Sequence, residues 1–211
     1  MNENFEITHI KFADTYIPES WLFDSGLESI KIPIIFSFFL VKTGIRKILI
    51  DVGCENSSIF ELENYVHPIT ALSNLNICSD DITDIIITHA HFDHIECVKY
   101  YPNANVYIQK QEYSRGLGYL KHNRQIITFE NEIEICEGIS AIKIGGHTTG
   151  SSIVECKDTN NTIIFCGDEC YSKYDFKTLV PTAKTVNLTA STEFLQKYSD
   201  KQYFCRLTHE F

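Results

Sequence analysis

The chain has 211 residues, of which 44% are hydrophobic and 22% are charged. This composition excludes a mainly disordered protein, and a chain of this length buries a core without disulfide staples. The formal net charge of −10 argues against a nucleic-acid partner, because phosphate binding depends on clustered positive charge. The eight cysteines form no CxxC pair, so we expect them to be reduced and mostly buried.

The N-terminal segment MNENFEITHI contains acids where a secretory signal carries positive charge. The longest apolar stretch, residues 32–41, is too short to span a membrane. We therefore expect a cytoplasmic protein with no membrane partner. No linker divides the chain, which predicts a single domain over residues 1–211.

Short β-branched runs separated by turn residues predict a series of strands. The first two, 36–41 and 47–51, are joined around Gly44 and predict a hairpin. Residues 84–88 (DIIIT) are typical of a strand buried on both faces, which requires helices packed on the sheet. Further strands are expected at 105–109, 126–129, 132–137, 141–144, 152–156, 162–166 and 203–207.

Helices are predicted at four places: 58–66, 94–100, 110–115 and 191–198. Thr189 or Ser191 is the expected N-cap of the last one. Strands and helices in this arrangement predict a layered α/β sandwich.

The sharpest chemical signal follows the DIIIT strand, where three imidazoles and a carboxylate stand within six residues: His89, His91, Asp93 and His94. His89 and His91 project to the same side, while Asp93 and His94, at the turn into the next helix, can reach the opposite side of one pocket. Imidazole and carboxylate are the usual ligands of zinc and similar divalent ions. The motif therefore predicts a metal site with room for two adjacent ions.

Four ligands on one loop cannot complete two catalytic sites, so we expect others at further strand ends. His147 lies in GGHTTGS after a predicted strand, Asp168 follows the FCG that ends the next, and His209 follows YFCRL. Ligands of open α/β folds gather at the carboxyl ends of strands, and these three positions fit that edge. Taken singly, a His after a strand is more often an ordinary polar residue, and an Asp after Gly is more often a turn former.

The segments HAHFDH, GGHTTGS, CGD and LTHEF, in this order and at these distances, resemble the metallo-β-lactamase fold superfamily of metal-dependent hydrolases. The resemblance implies an α/β (α+β) protein with a four-layer αββα sandwich and two divalent metal ions, with Zn²⁺ expected and Fe, Mn or Co as alternatives. ILIDVG resembles the first motif of the superfamily, in which Asp51 supports the metal loop from behind. The implied ligands form two sets and a bridge: His89, His91 and His147 for the first ion, Asp93, His94 and His209 for the second, and Asp168 between them.

The implied reaction is hydrolysis of an ester-like bond, since divalent ions lower the pKa of bound water to about 7 and polarise a substrate oxygen. His91 stands where di-iron redox members of the superfamily carry a carboxylate, which implies the hydrolytic branch. The true β-lactamases usually lack an equivalent of His94, so antibiotic hydrolysis is not the first expectation.

Tyr171, three residues after Asp168, resembles a tyrosine of N-acyl-homoserine lactonases whose hydroxyl contacts the substrate carbonyl. The candidate catalytic residues are therefore Asp93, Asp168 and Tyr171, although Tyr171 fits a packed aromatic at a pocket wall equally well. The expected substrate is a small lactone or related carboxylic ester.

Two features differ from those lactonases. Ile95 and Glu96 replace the usual glycine after the motif, which places a negative side chain near the site. The N-terminal region that helps to cover the acyl pocket is shorter. Six aromatic residues could line a pocket, but at strand spacing they favour the core: Phe12, Tyr16, Trp21, Phe23, Phe36 and Phe38.

Three alternatives stay open. A glyoxalase II-like thioesterase or a small phosphodiesterase would use the same metal pair. The thioesterases normally append a helical substrate domain, which we do not expect here with two residues after His209. A catalytically silent sensor or structural relative would keep the fold without turnover. The sequence predicts no oligomeric state.

Overall fold

Two β-sheets form the centre of the structure, a computed structural model that describes residues 5–57, 59–159 and 161–210. The first sheet contains, in hydrogen-bonded order, β1 (Glu6–Pro18), β2 (Lys31–Thr43), β3 (Arg46–Ile50), β4 (Asp84–Ile87), β5 (Asn105–Gln109) and β6 (Gln125–Phe129). The second contains β7 (Glu132–Cys136), β8 (Ile139–Lys143), β9 (Ser152–Lys157), β10 (Thr162–Phe165) and β11 (Tyr203–Arg206). Its order is β11-β10-β9-β8-β7.

The helices are α1 (Glu19–Leu22), α2 (Pro68–Ser73), α3 (Phe92–Ile95), α4 (Lys110–Leu120), α5 (Lys173–Thr178) and α6 (Leu188–Tyr198). Three short 3₁₀ helices cover Ser79–Asp81, Glu96–Tyr100 and Gly167–Glu169. Within the described ranges, none of the helices has both the length and the apolar character needed to cross a membrane.

Three buried hydrophobic clusters separate four layers. In β4, Ile85 and Ile87 belong to the cluster shared with α2 and α4, whereas Ile86 belongs to the cluster between the sheets. In β10, Phe165 faces the other sheet and Ile164 faces α6. Each such side chain contributes roughly 1.5–3 kcal/mol when fully buried. The predicted four-layer αββα sandwich is confirmed.

Parallel strand pairs bring the chemically interesting residues to one edge. β3 and β4 are parallel neighbours, and Asp51 and His89 lie just beyond their carboxyl ends. β10 and β11 are also parallel, and Asp168 and His209 lie beyond theirs. Because carboxyl ends of parallel strands lie at the same edge of a sheet, the fold assembles four distant positions at one place.

Every predicted strand is present, and the hairpin of β2 and β3 turns at Gly44 with φ of 53°. β1 is not predicted by the sequence. A bulge between Lys11 and Ala13 shifts its register against β2, so the alternation of buried and exposed side chains breaks in the middle of the strand. Five of the eight cysteines are buried, as expected.

The predicted helix at 58–66 is wrong over its described part, 59–66, and Ser58 lies outside the described residues. The Glu63 backbone exchanges two hydrogen bonds with Asp14 of β1, and Val66 N donates to Phe12 O. These backbone groups bond to the edge of the first sheet and are therefore not used for a helix.

The other predicted helices are present with different limits. The segment 94–100 is divided between α3 and the 3₁₀ helix that follows it, and 110–115 extends to Leu120 as α4. The expected caps of α6 are wrong, because the side chain of Asn187 accepts from Ala190 N and begins that helix. Ser191 lies on its buried face, and Thr189 is in its first turn.

Candidate metal centre

Asp51 fixes the metal-binding motif from behind. Its backbone turns out of β3 with φ of 60°, a left-handed conformation that aspartate tolerates better than most residues. Its Oδ1 accepts from Thr88 N at 2.8 Å, and its Oδ2 accepts from His94 Nδ1 at 2.8 Å. The second bond leaves Nε2 of His94 facing Asp168 and His209, as the resemblance implies for this motif.

The structure brings all seven predicted ligands together. They form two groups, in each of which the donor atoms lie within 4.8 Å of one another: His89, His91, His147 and Asp168, and Asp93, His94 and His209. In the first group, Nδ1 of His91 lies 2.9 Å from His89 Nε2 and 3.1 Å from His147 Nε2. In the second, His209 Nε2 lies 3.3 Å from Asp93 Oδ2.

Asp168 lies between the two groups. Its Oδ1 is 3.1 Å from His94 Nε2 and 3.4 Å from His209 Nε2. Its Oδ2 is 3.6 Å from His89 Nε2 and 3.4 Å from His147 Nε2. Each carboxylate oxygen therefore faces a different group of imidazoles.

The donor set fits a divalent cation. His209 Nδ1 donates to Ile35 O at 2.8 Å, and His94 Nδ1 donates to Asp51. The Nε2 atoms of these two rings then point at each other across 3.2 Å. Two lone pairs at that distance need a shared proton or a cation between them, and neutral imidazole Nε2 is a common metal ligand.

The electrostatics favour a neutral His89 and ionised carboxylates, the states that metal ligation requires, whereas His94 must lose a proton to bind a cation. Burial, reinforced by His94, lowers the pKa of His89 well below its usual value. Burial alone would raise the pKa of Asp168, but the imidazoles of His94 and His209 hold it well below its usual range. Burial opposes charge on His94 too, yet the carboxylates of Asp168 and Asp51 raise its pKa well above the usual value. In the absence of a cation, the acidic ligands are ionised and His94 supplies compensating charge.

Sequence reasoning missed Glu112, a fully buried carboxylate on α4. Its oxygens accept from Ala90 N at 3.0 Å, from Thr148 Oγ1 at 2.7 Å and from Gly150 N at 3.0 Å. One side chain thus joins the His89–His94 loop to the loop that carries His147. The available signal was its spacing of four residues from Gly116, which places both on the buried face of α4.

Glu169, directly after Asp168, was also missed. This buried carboxylate accepts from the backbone N–H groups of Gly146 and His147, each at 3.2 Å. It accepts as well from Ser151 Oγ at 2.5 Å and from Ser191 Oγ at 3.1 Å. Burial raises its pKa in spite of these bonds. Glu169 fixes the His147 loop against α6.

The two residues that replace the usual glycine after the motif have structural roles. Ile95 is fully buried, and α4 approaches it so closely that a Cβ at Gly116 would lie 2.8 Å from its Cδ1. The carboxylate of Glu96 accepts from Glu55 N at 2.9 Å, which attaches the segment after β3 to the 3₁₀ helix. Neither residue lines the pocket over the ligands.

A cavity of about 410 Å³ opens over both groups of ligands, and most of its wall is apolar. Tyr171 lines it, with its ring stacked on His209 at a centroid distance of 5.4 Å and its hydroxyl donating to Asp168 Oδ2 at 2.5 Å. Of the six aromatic residues left open by the sequence, Trp21 and Phe36 line the cavity. The other four lie elsewhere: Phe12 and Phe38 in the core, Phe23 packed against it, and Tyr16 exposed.

Fold and site together define a class of protein, an αββα sandwich with a His/Asp metal-binding site at one edge of its two sheets. The chain belongs to the metallo-β-lactamase superfamily, whose family profile matches residues 35–198.

Among curated proteins, a probable metallo-hydrolase of Methanocaldococcus jannaschii is 32% identical over 143 residues, which are 67% of this chain and 63% of that protein. This match therefore spans less than two thirds of that relative. An N-acyl homoserine lactonase of Bacillus cereus is 26% identical over 169 residues, which are 69% of this chain and 68% of the lactonase.

Among solved structures, a probable metal-dependent hydrolase of Staphylococcus aureus superposes with a TM-score of 0.86 at 21% identity, covering 100% of this chain and 91% of that one. An N-acyl homoserine lactone hydrolase with N-hexanoyl-L-homoserine bound at its catalytic metal center gives a TM-score of 0.85 at 18% identity, covering 100% and 95%. At these identities the similarity establishes the shared fold.

Proposed function

We propose that the chain, as a single hydrolase domain over residues 1–211, is a dinuclear metallohydrolase that opens a lactone or cleaves a related carboxylic ester. The observation that carries this proposal is the position of Asp168, whose Oδ1 lies 3.1 Å from His94 Nε2 and whose Oδ2 lies 3.4 Å from His147 Nε2. A carboxylate with one oxygen toward each group can hold two cations side by side.

The proposed ligands are divided as the two groups suggest, with His89, His91 and His147 on one ion, Asp93, His94 and His209 on the other, and Asp168 shared. This set of imidazoles and carboxylates suits Zn²⁺, and also Fe, Mn or Co, whose selection depends on availability. When bound, such ions activate water at neutral pH and polarise the oxygen of a substrate carbonyl.

Tyr171 is the proposed donor to the substrate. Burial, with the nearby Asp168 carboxylate, raises its pKa well above the usual value, so the hydroxyl keeps its proton. The hydroxyl of Tyr171 donates its hydrogen bond to Asp168 Oδ2. It can redirect this bond to the carbonyl oxygen of a substrate as negative charge develops on that oxygen. Burial alone would raise the pKa of Asp93, but the imidazoles of His94 and His209 lower it. Asp93 and Asp168 are therefore both ionised where they line the cavity.

The ester or lactone assignment is supported by the apolar cavity and by the relatives that are N-acyl homoserine lactonases. A largely apolar wall with a few polar groups at its floor is typical of sites for small organic substrates. The proposed partner is thus a small ester or lactone, and the proposed location is the cytoplasm.

The test combines metal analysis of the purified protein with a substrate panel. We expect about two equivalents of divalent metal and metal-dependent ring opening of N-acyl homoserine lactones. A thioester and bis-p-nitrophenyl phosphate are measured in parallel. Turnover of one of these without lactone hydrolysis would replace the substrate class, whereas less than about one equivalent of metal would favour a catalytically silent relative.

Asp168→Ala tests the shared ligand directly. We expect turnover to fall below detection and bound metal to decrease, because the variant removes the carboxylate that both groups of ligands face. Asp80→Ala, at an exposed aspartate of a 3₁₀ helix, is the matched control and should behave as wild type. Wild-type kinetics and metal content in Asp168→Ala would refute the proposed centre.

A further inference from the structure

Two basic side chains, Arg115 and Lys184, line the cavity over the candidate metal centre. The acidic side chains in the described part of its lining, Asp93 and Asp168, are both proposed ligands. The chain as a whole has 28 acidic and 18 basic residues. Apart from the proposed metal ligands, the charged side chains of the cavity are therefore positive, although the chain as a whole has a negative net charge.

Arg115 lies near the loops that carry the proposed ligands, and some of its N–H groups are available to bind a substrate. Its Nη1 lies 3.6 Å from Oε1 of Glu112, one turn earlier on α4. That oxygen already accepts hydrogen bonds from Thr148 Oγ1 and Gly150 N. A guanidinium carries five N–H donors in a planar fork, so the donors beyond Nη1 can bind an oxyanion in the cavity.

Lys184 is held by an aromatic ring. Its Nζ lies 5.0 Å from the centroid of the Trp21 ring, a cation–π contact that positions the ammonium and leaves its charge intact. The segment that carries it is bonded to the loop of His147, because Val186 N and Asn187 N donate to Gly146 O at 2.9 and 3.0 Å. Arg115 is joined to the same loop through Glu112, so both cations belong to segments that are attached to the His147 loop.

Part of the aromatic wall lies by the other group of ligands. Phe36 contacts the ring of His209 at a centroid distance of 5.0 Å. Phe60 packs against Phe36 at 5.8 Å and against Phe92 at 6.3 Å. Trp21, the ring under Lys184, packs on Phe60 at 5.6 Å. The cavity therefore combines two cations with a continuous aromatic wall.

We infer that the substrate is an amphiphilic ester, which carries a carboxylate and a hydrophobic group in addition to the scissile bond. This inference rests on the proposed function. Arg115 and Lys184 are specificity-determining residues that bind the carboxylate, and the aromatic wall binds the hydrophobic group. Water adds across the ester bond to give an acid and an alcohol, while the remote carboxylate is unchanged.

Binding of simple acids tests the inference without turnover. Octanedioate and octanoate have the same chain length, and one carboxylate of each can bind at the metal centre of the metal-loaded protein. By calorimetry, we expect octanedioate to bind about tenfold more tightly, because its second carboxylate gains charge-assisted hydrogen bonds. The preference should disappear in the double variant Arg115→Gln, Lys184→Gln.

The matched control is Arg124→Gln, Lys121→Gln, which removes an arginine and a lysine that are exposed and do not line the cavity. This control should keep the full preference for octanedioate. Equal affinity for the two acids in the wild-type protein, or a preference that survives the cavity variant, would overturn the inference.

A kinetic experiment separates the inference from the proposed function. We compare 4-nitrophenyl esters whose acyl chains end in a carboxylate or in a primary amide. We expect about tenfold higher kcat/KM for the carboxylate ester, lost through KM in the cavity variant. No hydrolysis of either ester, with the binding preference intact, would contradict ester hydrolysis alone. Equal kcat/KM for the two esters would contradict carboxylate recognition alone.

Discussion

Tyr171 combines two contacts whose effects a single substitution separates. Phenylalanine keeps the ring that stacks on His209 and removes only the hydroxyl that donates to Asp168. We expect Tyr171→Phe to lower kcat by about 10²-fold, the effect typical of losing one donor to a developing oxyanion, with metal content unchanged. Steady-state kinetics and metal analysis of the same preparation measure both.

The control is Tyr174→Phe, at a tyrosine that is 57% exposed and outside the cavity lining. It should have wild-type kcat. An unchanged kcat in Tyr171→Phe would assign Tyr171 to packing, the alternative that the sequence leaves open.

At the scale of single residues, the sequence predicts those whose chemistry depends on local spacing. His89, His91 and His94 are close because they share one short loop, so their motif is visible in the chain itself. Glu112 and Glu169 have no such motif, and their roles arise only when distant loops pack over them and remove them from water. An isolated glutamate in a sequence favours a solvated position, which is why neither was predicted.

At the scale of elements, α4 connects two loops of the candidate centre through Glu112. In Glu112→Gln, one carboxylate oxygen is replaced by an NH₂ group. This group must face a hydrogen-bond donor, such as Ala90 N or Thr148 Oγ1, that donates to the carboxylate in the wild-type protein. We expect metal affinity to fall about 10- to 100-fold, as for other residues that orient metal ligands, with the fold retained. Competition with a chromophoric chelator measures the affinity, and circular dichroism measures the fold.

Glu134→Gln, at an exposed glutamate of β7, is the matched control and should bind metal as the wild-type protein does. If Glu112→Gln also keeps wild-type metal affinity, the connection between the two loops does not depend on the carboxylate.

Two glycines provide a second test of how the His147 loop is packed. A Cβ at Gly146 would lie 2.0 Å from Ser191 Oγ and 2.3 Å from Glu169 Oε2, whereas at Gly118 of α4 it would meet nothing within 4 Å. We expect Gly146→Ala to destabilise the protein by about 1–3 kcal/mol through overpacking. Gly118→Ala should stabilise it by about 0.5–1 kcal/mol, since alanine favours a helix interior.

Urea unfolding of both glycine variants gives the two free energies of unfolding. Equal stability of Gly146→Ala and the wild-type protein would mean that the side chains of Glu169 and Ser191 can move away from the added methyl group without loss of stability.

The elements differ in how well their sequences predict them. β4 is recognisable because it is buried on both faces and reads as an unbroken apolar run. β1 is hidden by its bulge, and residues 59–66 pair with the sheet edge in spite of a helix-like pattern. In both cases the deciding hydrogen bonds join segments far apart in the chain, which local periodicity does not record.

At the scale of the whole molecule, the net charge of −10 and the metal centre are linked. Three buried carboxylates, Asp51, Asp93 and Asp168, are concentrated around the two groups of imidazoles. Two divalent ions would change the formal balance to −10 + 4 = −6. The ions would thus offset part of the repulsion that burial of these carboxylates imposes on the folded chain.

Metal removal should therefore lower the stability of the entire domain. Ions that bind only the folded state at about 100 times their dissociation constant stabilise it by about 2.7 kcal/mol. For a chain of this length, each kcal/mol raises Tm by about 2–4 °C, so we expect a rise of about 5–11 °C when Zn²⁺ is added to chelator-treated protein. Thermal unfolding at equal ionic strength measures the shift, and Asp168→Ala should show a smaller one because it lacks the shared ligand. An identical Tm with and without Zn²⁺ would mean that the seven side chains are held in place by the fold alone.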